Sequence, residues 1–168
     1  MKIFLFLFIL SCSKCIVAQP KNIHVYAFVA EECPISIYMA GALSEIAQFY
    51  YSKADFNLVF PLKSSNNKTA SSFKTKNKLP LYNIVLDKKQ HISKQLGATV
   101  TPEVIITDAN NKIIYKGRIN DAYLEPGKRR HIFSSNDLSN ALAIITEGKE
   151  FPKPWKKAVG CFITYAKK

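Results

Sequence analysis

Cysteine, glycine and acidic residues are all scarce in this 168-residue chain, which has four Cys, six Gly, and 12 Asp plus Glu against 24 Lys plus Arg. Each shortage removes a class of function. There is no Gly-rich phosphate loop and no Gly-x-Ser-x-Gly turn, so nucleotide cradling and serine-hydrolase chemistry have no motif to rest on. The three histidines, His24, His91 and His131, lack ligand spacing and read as ordinary strand or surface residues; neither a metal nor a cofactor is expected. Internal repeats are absent, and no apolar run is long enough to span a bilayer as a helix. The net charge of +12 would suit nucleic acid, but the lysines are scattered as singles and pairs with no Arg-rich stripe among stacking aromatics. A lysine-rich solvated surface is the plainer reading, and nucleic acid is not an expected partner.

What is present begins with MKIFLFLFILSCSKCIVAQP: one early lysine, an apolar stretch from Ile3 to Leu10, then small residues before a polar start. This is the layout of a secretory signal peptide over 1–19, with cleavage expected after Ala18. The alternative is a lipoprotein box at Ile9-Leu10-Ser11-Cys12, with Cys12 lipidated; only then is a membrane contact expected. Both readings export the working domain to a periplasmic or extracellular setting. Removal of 1–19 takes Lys2 and Lys14, lowers the charge from +12 to +10, and leaves 149 residues. That is enough for one compact domain with a full core, expected over 20–150 with an extended tail over 151–168. The one Cys-x-x-Cys, Cys12-Ser-Lys-Cys15, falls in the removed segment, so the mature part keeps Cys33 and Cys161. Export lets a disulfide persist, and two cysteines permit one pairing, but sequence alone leaves its existence open.

Hydrophobic periodicity supplies the elements. Residues 23–29 (IHVYAFV) are almost continuously apolar, which suits a buried central strand. From Pro34 to Tyr51 the period becomes helical, with Ile35, Met39, Leu43, Ile46 and Tyr50 on one face and Cys33 at the N-cap. A second strand, 56–60, is reached through that helix and is therefore expected to be parallel. The Ser-, Asn- and Lys-rich segment 63–78 reads as a mobile region or an irregular helix. A short extended piece at 82–87 and a short helix closed by Gly97 follow. Runs 103–107 and 112–117 flank an Asp-Ala-Asn-Asn turn, a hairpin signal. Ser134 or Ser135 is placed to cap a last helix carrying Leu138, Ala141, Leu142 and Ile145, closed by Gly148.

Five segments in this order, ECPIS (32–36), LGATVTPEVIITD (96–108), IIYKGRINDAY (113–123), GKRR (127–130) and AVGCFI (158–163), resemble the thioredoxin-like fold. More narrowly, the chain is similar to exported redoxin-domain proteins grouped with the alkyl hydroperoxide reductase and thiol-specific antioxidant family. The resemblance implies an α/β three-layer sandwich, a mixed central sheet with helices on both faces. It implies that Cys33 is the nucleophile, that Thr101-Pro102 is a cis peptide facing the sulfur, and that an extended substrate docks on the backbone before Pro102. Cys161 matches a recurrent C-terminal cysteine whose role the resemblance does not carry over.

Thiolates, not thiols, attack disulfides, and a helix N-terminus stabilises the sulfur anion. Pro34 starts that helix, and the Ser36 hydroxyl stands where it could donate to the sulfur; Glu31 and Glu32 oppose ionisation. Ser36 also replaces the second cysteine of a dithiol site, so a mixed disulfide on Cys33 needs Cys161 or an external thiol to release it. Tyr26 and Ala30 stand where a peroxiredoxin has the proline and threonine of Pro-x-x-x-Thr-x-x-Cys, which argues against an efficient peroxidase. A copper chaperone's Cys-x-x-x-Cys is also missing. The expected activity is thiol–disulfide exchange through Cys33, with Cys161 as candidate partner, Pro34, Ser36, Thr101 and Pro102 shaping the site, disulfide or thiol substrates, and an external electron donor. The alternatives are a binding or structural module with a fixed disulfide or an idle thiol. The charged stretch Arg118, Asp121, Lys128, Arg129 and Arg130 reads as an approach to the site, a surface for an acidic partner, or a solvated loop.

Overall fold

The computed structural model describes residues 22–132 and 134–165, so the segment 1–19 expected to be an export signal, with Cys12 and Ala18, lies outside the described residues. Strand β1 (Ile23–Phe28) is followed by helix α1 (Pro34–Tyr50), strand β2 (Asp55–Phe60), helix α2 (Asn67–Lys76) and strand β3 (Tyr82–Leu86). These three strands are parallel and hydrogen-bonded in the order β3-β2-β1, the arrangement that helical crossovers impose. After helix α3 (His91–Leu96) and the two-residue strand β4 (Val100–Thr101) comes the hairpin of β5 (Glu103–Asp108) and β6 (Ile113–Gly117). Strand β5 pairs antiparallel with β1 and with β6, completing a mixed five-stranded sheet ordered β3-β2-β1-β5-β6. Asp108 Oδ1 accepts the N–H groups of Asn110 and Lys112 at 2.9 Å each, and Asn111 takes φ +60°, so the Asp-Ala-Asn-Asn turn closes as its side chains dictate. A small hairpin, β7 (Tyr123–Glu125) and β8 (Lys128–Arg129), then helix α4 (Asp137–Ile145) and strand β9 (Cys161–Phe162) complete the chain.

Both sheet faces are covered, because alternate side chains on each central strand point to opposite sides. Val25, Ala27, Phe56, Leu58, Val104 and Ile106 face the main core, where α1, α2 and α4 contribute Leu43, Phe73 and Leu142. Phe28, Val59 and Ile105 face a smaller core closed by Leu96, Ala98 and Ile163. This is the three-layer α/β architecture expected from the sequence. The buried Tyr82 hydroxyl donates to Leu43 O at 3.1 Å, and burial pushes its ionisation far above the ordinary tyrosine range.

Three local expectations are corrected. The segment expected to be mobile or irregular contains the regular helix α2, started by a reciprocal cap. Asn66 Oδ1 accepts the N–H groups of Lys68 and Thr69, and Thr69 Oγ1 accepts the Asn66 N–H. Neither Ser134 nor Ser135 caps α4; the cap position is Asn136, without a side-chain bond. The Asp121 carboxylate takes the amides of both serines, at 2.9 and 3.0 Å, and so fixes the approach to the helix instead. The tail, expected to be extended on the surface, is extended but built in: Phe151, Trp155 and Val159 pack on the main core, and β9 pairs antiparallel with β4. Gly117 and Gly160 mark its closest approaches. A Cβ on Gly117 would lie 2.3 Å from Lys156 O, and one on Gly160 2.2 Å from Thr101 O, far inside a normal C···O contact of about 3.3 Å.

Candidate active site

The site lies where β1 hands over to α1. Residues 29–32 leave the sheet, Val29 still donating its N–H to Val59 O at 2.9 Å. Cys33 takes the N-cap with extended backbone (φ −78°, ψ 114°), its N–H donating to Ala30 O at 3.2 Å, and Pro34 occupies the first helical turn. Proline suits that place, since the N–H it lacks would have no intrahelical acceptor. Glu31 is turned away to accept the hydroxyls of Ser65 (2.8 Å) and Thr69 (2.7 Å), tying the loop to the start of α2. Ser36 is fully buried, and its Oγ accepts the Ala30 N–H at 3.3 Å. The serine therefore braces the loop that carries Cys33.

Across from this loop, the Thr101–Pro102 peptide bond is cis. The Thr101 carbonyl oxygen lies 3.1 Å from Cys33 Sγ, and both residues are buried, at 2% and 3% exposure. Cys161 arrives on β9, directly opposite Thr101 in the β4–β9 register, and Thr101 Oγ1 donates to Cys161 O at 3.4 Å. Cys33 and Cys161 form a disulfide, with Cα atoms 6.4 Å apart and 128 residues of separation in sequence. Thus Cys33, Cys161, Thr101 and Pro102 meet at one point, with Pro34 exposed at its rim and Ser36 beneath.

The strap carrying Cys161 is anchored beyond the disulfide. Ile163 is buried and donates its N–H to Thr99 O at 3.0 Å, Gln90 Nε2 donates to Thr164 O at 2.9 Å, and the Tyr165 hydroxyl donates to Ala98 O at 2.6 Å. Burial, with the Asp87 and Glu103 carboxylates nearby, raises the ionisation of Tyr165 and keeps it a donor. These anchors were missed in the sequence, although Val159 and Ile163, each packed on a core, are apolar at an even spacing that suits a strand.

The surroundings are apolar and basic. Ile37 (48% exposed), Tyr38 (40%) and Phe162 (82%) are large exposed apolar side chains on α1 and β9. The Arg129 guanidinium sits 5.0 Å over the Tyr38 ring, and Tyr123 meets the same ring edge-on at 5.4 Å, so the β7–β8 hairpin packs beside α1. Much of the charged segment is paired internally: Arg118 with Asp137 at 2.8 Å and Arg130 with Asp121 at 2.6 Å. A groove of about 580 Å³ opens next to Glu31, lined by Ile37, Lys68, Phe73 and Lys76. Another, about 530 Å³ and lined by Ile23, Asp108, Phe151 and Trp155, lies at the opposite end of β1 and takes no part in the site. Among the described residues, no three His, Cys, Asp or Glu side chains assemble into a metal cluster, and no helix is long and apolar enough to cross a membrane.

No family profile matches the chain, and no curated protein does. Solved structures do match. A conserved protein of Geobacillus kaustophilus superposes with a TM-score of 0.76 at 20% identity, over 90% of this chain and 81% of that one. A secreted disulfide oxidoreductase of Mycobacterium tuberculosis, homologous to Escherichia coli DsbE, gives 0.53 at 18% identity over 73% and 81%. A thioredoxin-like protein of Aeropyrum pernix gives 0.50 at 17% identity over 58% and 69%. Likeness at these identities is a likeness of fold, and the fold is thioredoxin-like.

Proposed function

We propose that this thioredoxin-like domain performs thiol–disulfide exchange outside the cytoplasm, through the Cys33–Cys161 pair. The observation that carries the reading is the disulfide itself, set between the first turn of α1 and the cis Thr101–Pro102 peptide. Helix α1, 17 residues long, directs the positive end of its dipole at Cys33, so a thiolate there is stabilised as attacking or departing group. Each turnover moves two electrons. The Cys33–Cys161 bond breaks while two partner thiols join as a disulfide, or the reverse when a partner disulfide is reduced and an external donor restores the pair. Substrates are protein or small-molecule disulfides and thiols. Sharing a fold with a secreted disulfide oxidoreductase makes this the first chemistry to test. The export signal read at 1–19, with lipidation at Cys12 as its variant, supports a periplasmic or extracellular setting, where such a pair can persist.

A second reading, a non-catalytic module with a fixed disulfide, is favoured by the burial of Cys33. Insulin-disulfide reduction by the wild type, Cys33→Ser and Cys161→Ser separates the two. The proposal expects activity in the wild type and its loss in both variants. Loss with Cys33→Ser alone means monothiol exchange, and an inactive wild type supports the fixed disulfide.

A further inference from the structure

The two sulfurs of the pair are not equally placed. Cys33 is 3% exposed and belongs to the main core, whereas Cys161 is an exposed residue of β9 followed by Phe162, 82% exposed. A thiolate attacks a disulfide in line, from the side of the attacked sulfur opposite its partner. For Cys33 that side is protein interior. Cys161 is instead on the exposed strand of the strap.

The strap also occupies the strand edge beside the cis peptide. Val100 pairs with Phe162 and Thr101 with Cys161, while Gly160 lies so close to the Thr101 carbonyl that even a methyl group would collide with it. No second peptide strand fits between them. Because Ile163, Thr164 and Tyr165 hold the strap through the Thr99, Gln90 and Ala98 contacts, cutting the disulfide removes one attachment among several. Cys33 stays roofed after reduction.

We infer that Cys161 is the cysteine that exchanges with partners and Cys33 is the internal thiol that releases them, an inference that rests on the exchange activity proposed above. In the reducing direction the Cys161 thiolate attacks a partner disulfide, forming the Cys161–partner bond and expelling one partner thiolate. The Cys33 thiolate, held at the α1 terminus, then attacks Cys161 Sγ, closing the Cys33–Cys161 disulfide and expelling the second partner thiolate. In the oxidising direction a partner thiolate attacks Cys161 Sγ and the electron pair leaves on Cys33. A second partner thiol then displaces Cys161 as partner disulfide forms. Phe162, Ile37 and Tyr38 are the apolar side chains available to an incoming partner around this step. The first attack is thereby moved from the cysteine that the sequence resemblance marks to the one on the strap.

The test compares the second-order rates at which the folded Cys33→Ser and Cys161→Ser proteins react with the chromogenic disulfide dithionitrobenzoate at pH 7. Cys161, left alone in Cys33→Ser, should react about tenfold or more faster than Cys33 in Cys161→Ser, because reactivity requires an accessible thiolate. A second measurement needs no variant: fully reduced wild type is treated with sub-stoichiometric iodoacetamide, digested, and the label located by mass spectrometry. Label on Cys161 supports the assignment. A faster Cys33, or label chiefly on Cys33, overturns it and leaves exchange standing. If neither thiol reacts in the folded protein while both react in guanidinium, the exchange reading falls and the assignment with it.

Discussion

Reducing the Cys33–Cys161 bond should lower the melting temperature by about 16 °C without changing the fold at 25 °C. The bond closes a loop spanning 128 residues of sequence. On the chain-entropy treatment, removing such a cross-link frees the denatured chain by about 5 kcal/mol at 25 °C. Roughly 145 ordered residues give an unfolding entropy near 0.3 kcal/mol/K, and the ratio of the two is the shift. The native side changes little, because the strap keeps its hydrogen bonds at Thr99, Gln90 and Ala98 and its buried Ile163. Calorimetry with and without a phosphine reductant measures the effect, and the Cys33→Ser/Cys161→Ser double variant controls for the reductant. Far-ultraviolet circular dichroism at 25 °C should be the same in both redox states. A shift smaller than about 5 °C would refute the reasoning, since it would mean that the bond constrains a denatured chain already held together by other contacts. Loss of secondary structure at 25 °C on reduction would refute the other half, that the strap is held independently of the disulfide.

Gly160→Ala puts a methyl group 2.2 Å from the Thr101 carbonyl oxygen, so the strap must lift; stability should fall by about 1–3 kcal/mol, and glutathione-driven formation of the disulfide should slow. An unchanged oxidation rate would show that the strap is not seated on the cis peptide. Among the described residues, Thr107 Oγ1 is a buried side-chain oxygen without a hydrogen-bond partner, so Thr107→Val should stabilise by about 1 kcal/mol in urea denaturation, and a loss of stability would contradict that burial. Asp121 is held below the usual carboxylate range, chiefly by the Ser135 amide and further by Ser134 and the Arg130 guanidinium, against the opposing effect of burial. Its contribution is complete above the unfolded-state value of about 3.9 and is lost as pH falls through the lowered folded-state value. Asp121→Asn should therefore cost about 2 kcal/mol at pH 7 and progressively less in acid, and a penalty that grows on acidification would reverse the assigned sign.

The sheet, its hairpin and helix α1 were legible because their signals are local. The near-continuous apolar run of β1, the helical spacing after Pro34 and the Asp108 turn each specify their element without reference to the rest of the fold. Helix α2 was hidden by composition. Only Ala70 and Phe73 of its ten residues are buried, and the cap that starts it is spelled Asn66-x-x-Thr69 in place of the commoner serine and glutamate. The start of α4 was misread because Asp121, more than a dozen residues upstream, takes the two serine amides that would otherwise form a cap. The helix-cap and cis-proline side of the site was visible as Cys33-Pro34 and Thr101-Pro102. The seating of Cys161 was not, since it depends on pairing between residues 60 positions apart, and a two-residue strand carries little signal of its own.

Placing the second thiol on a strap instead of at position 36 changes what the redox state does to the protein. A Cys-x-x-Cys bond closes a ring of four residues within one helical turn and constrains the denatured chain little; here Ser36 is buried against the Ala30 amide and the partner comes from 128 residues away. Folding and oxidation are then linked: whatever free energy the bond adds to the folded state, the fold adds to the bond. With about 5 kcal/mol from loop closure and 30 mV equivalent to about 1.4 kcal/mol, the folded pair should be harder to reduce than the same pair in guanidinium by about 110 mV. Stabilisation of the Cys33 anion by the α1 terminus acts in the opposite direction, because it favours the reduced folded state. Measuring both potentials against glutathione weighs these effects. The full difference describes a bond that mainly secures the tail, and a difference well below it describes a helix terminus that keeps the pair reducible, as exchange requires.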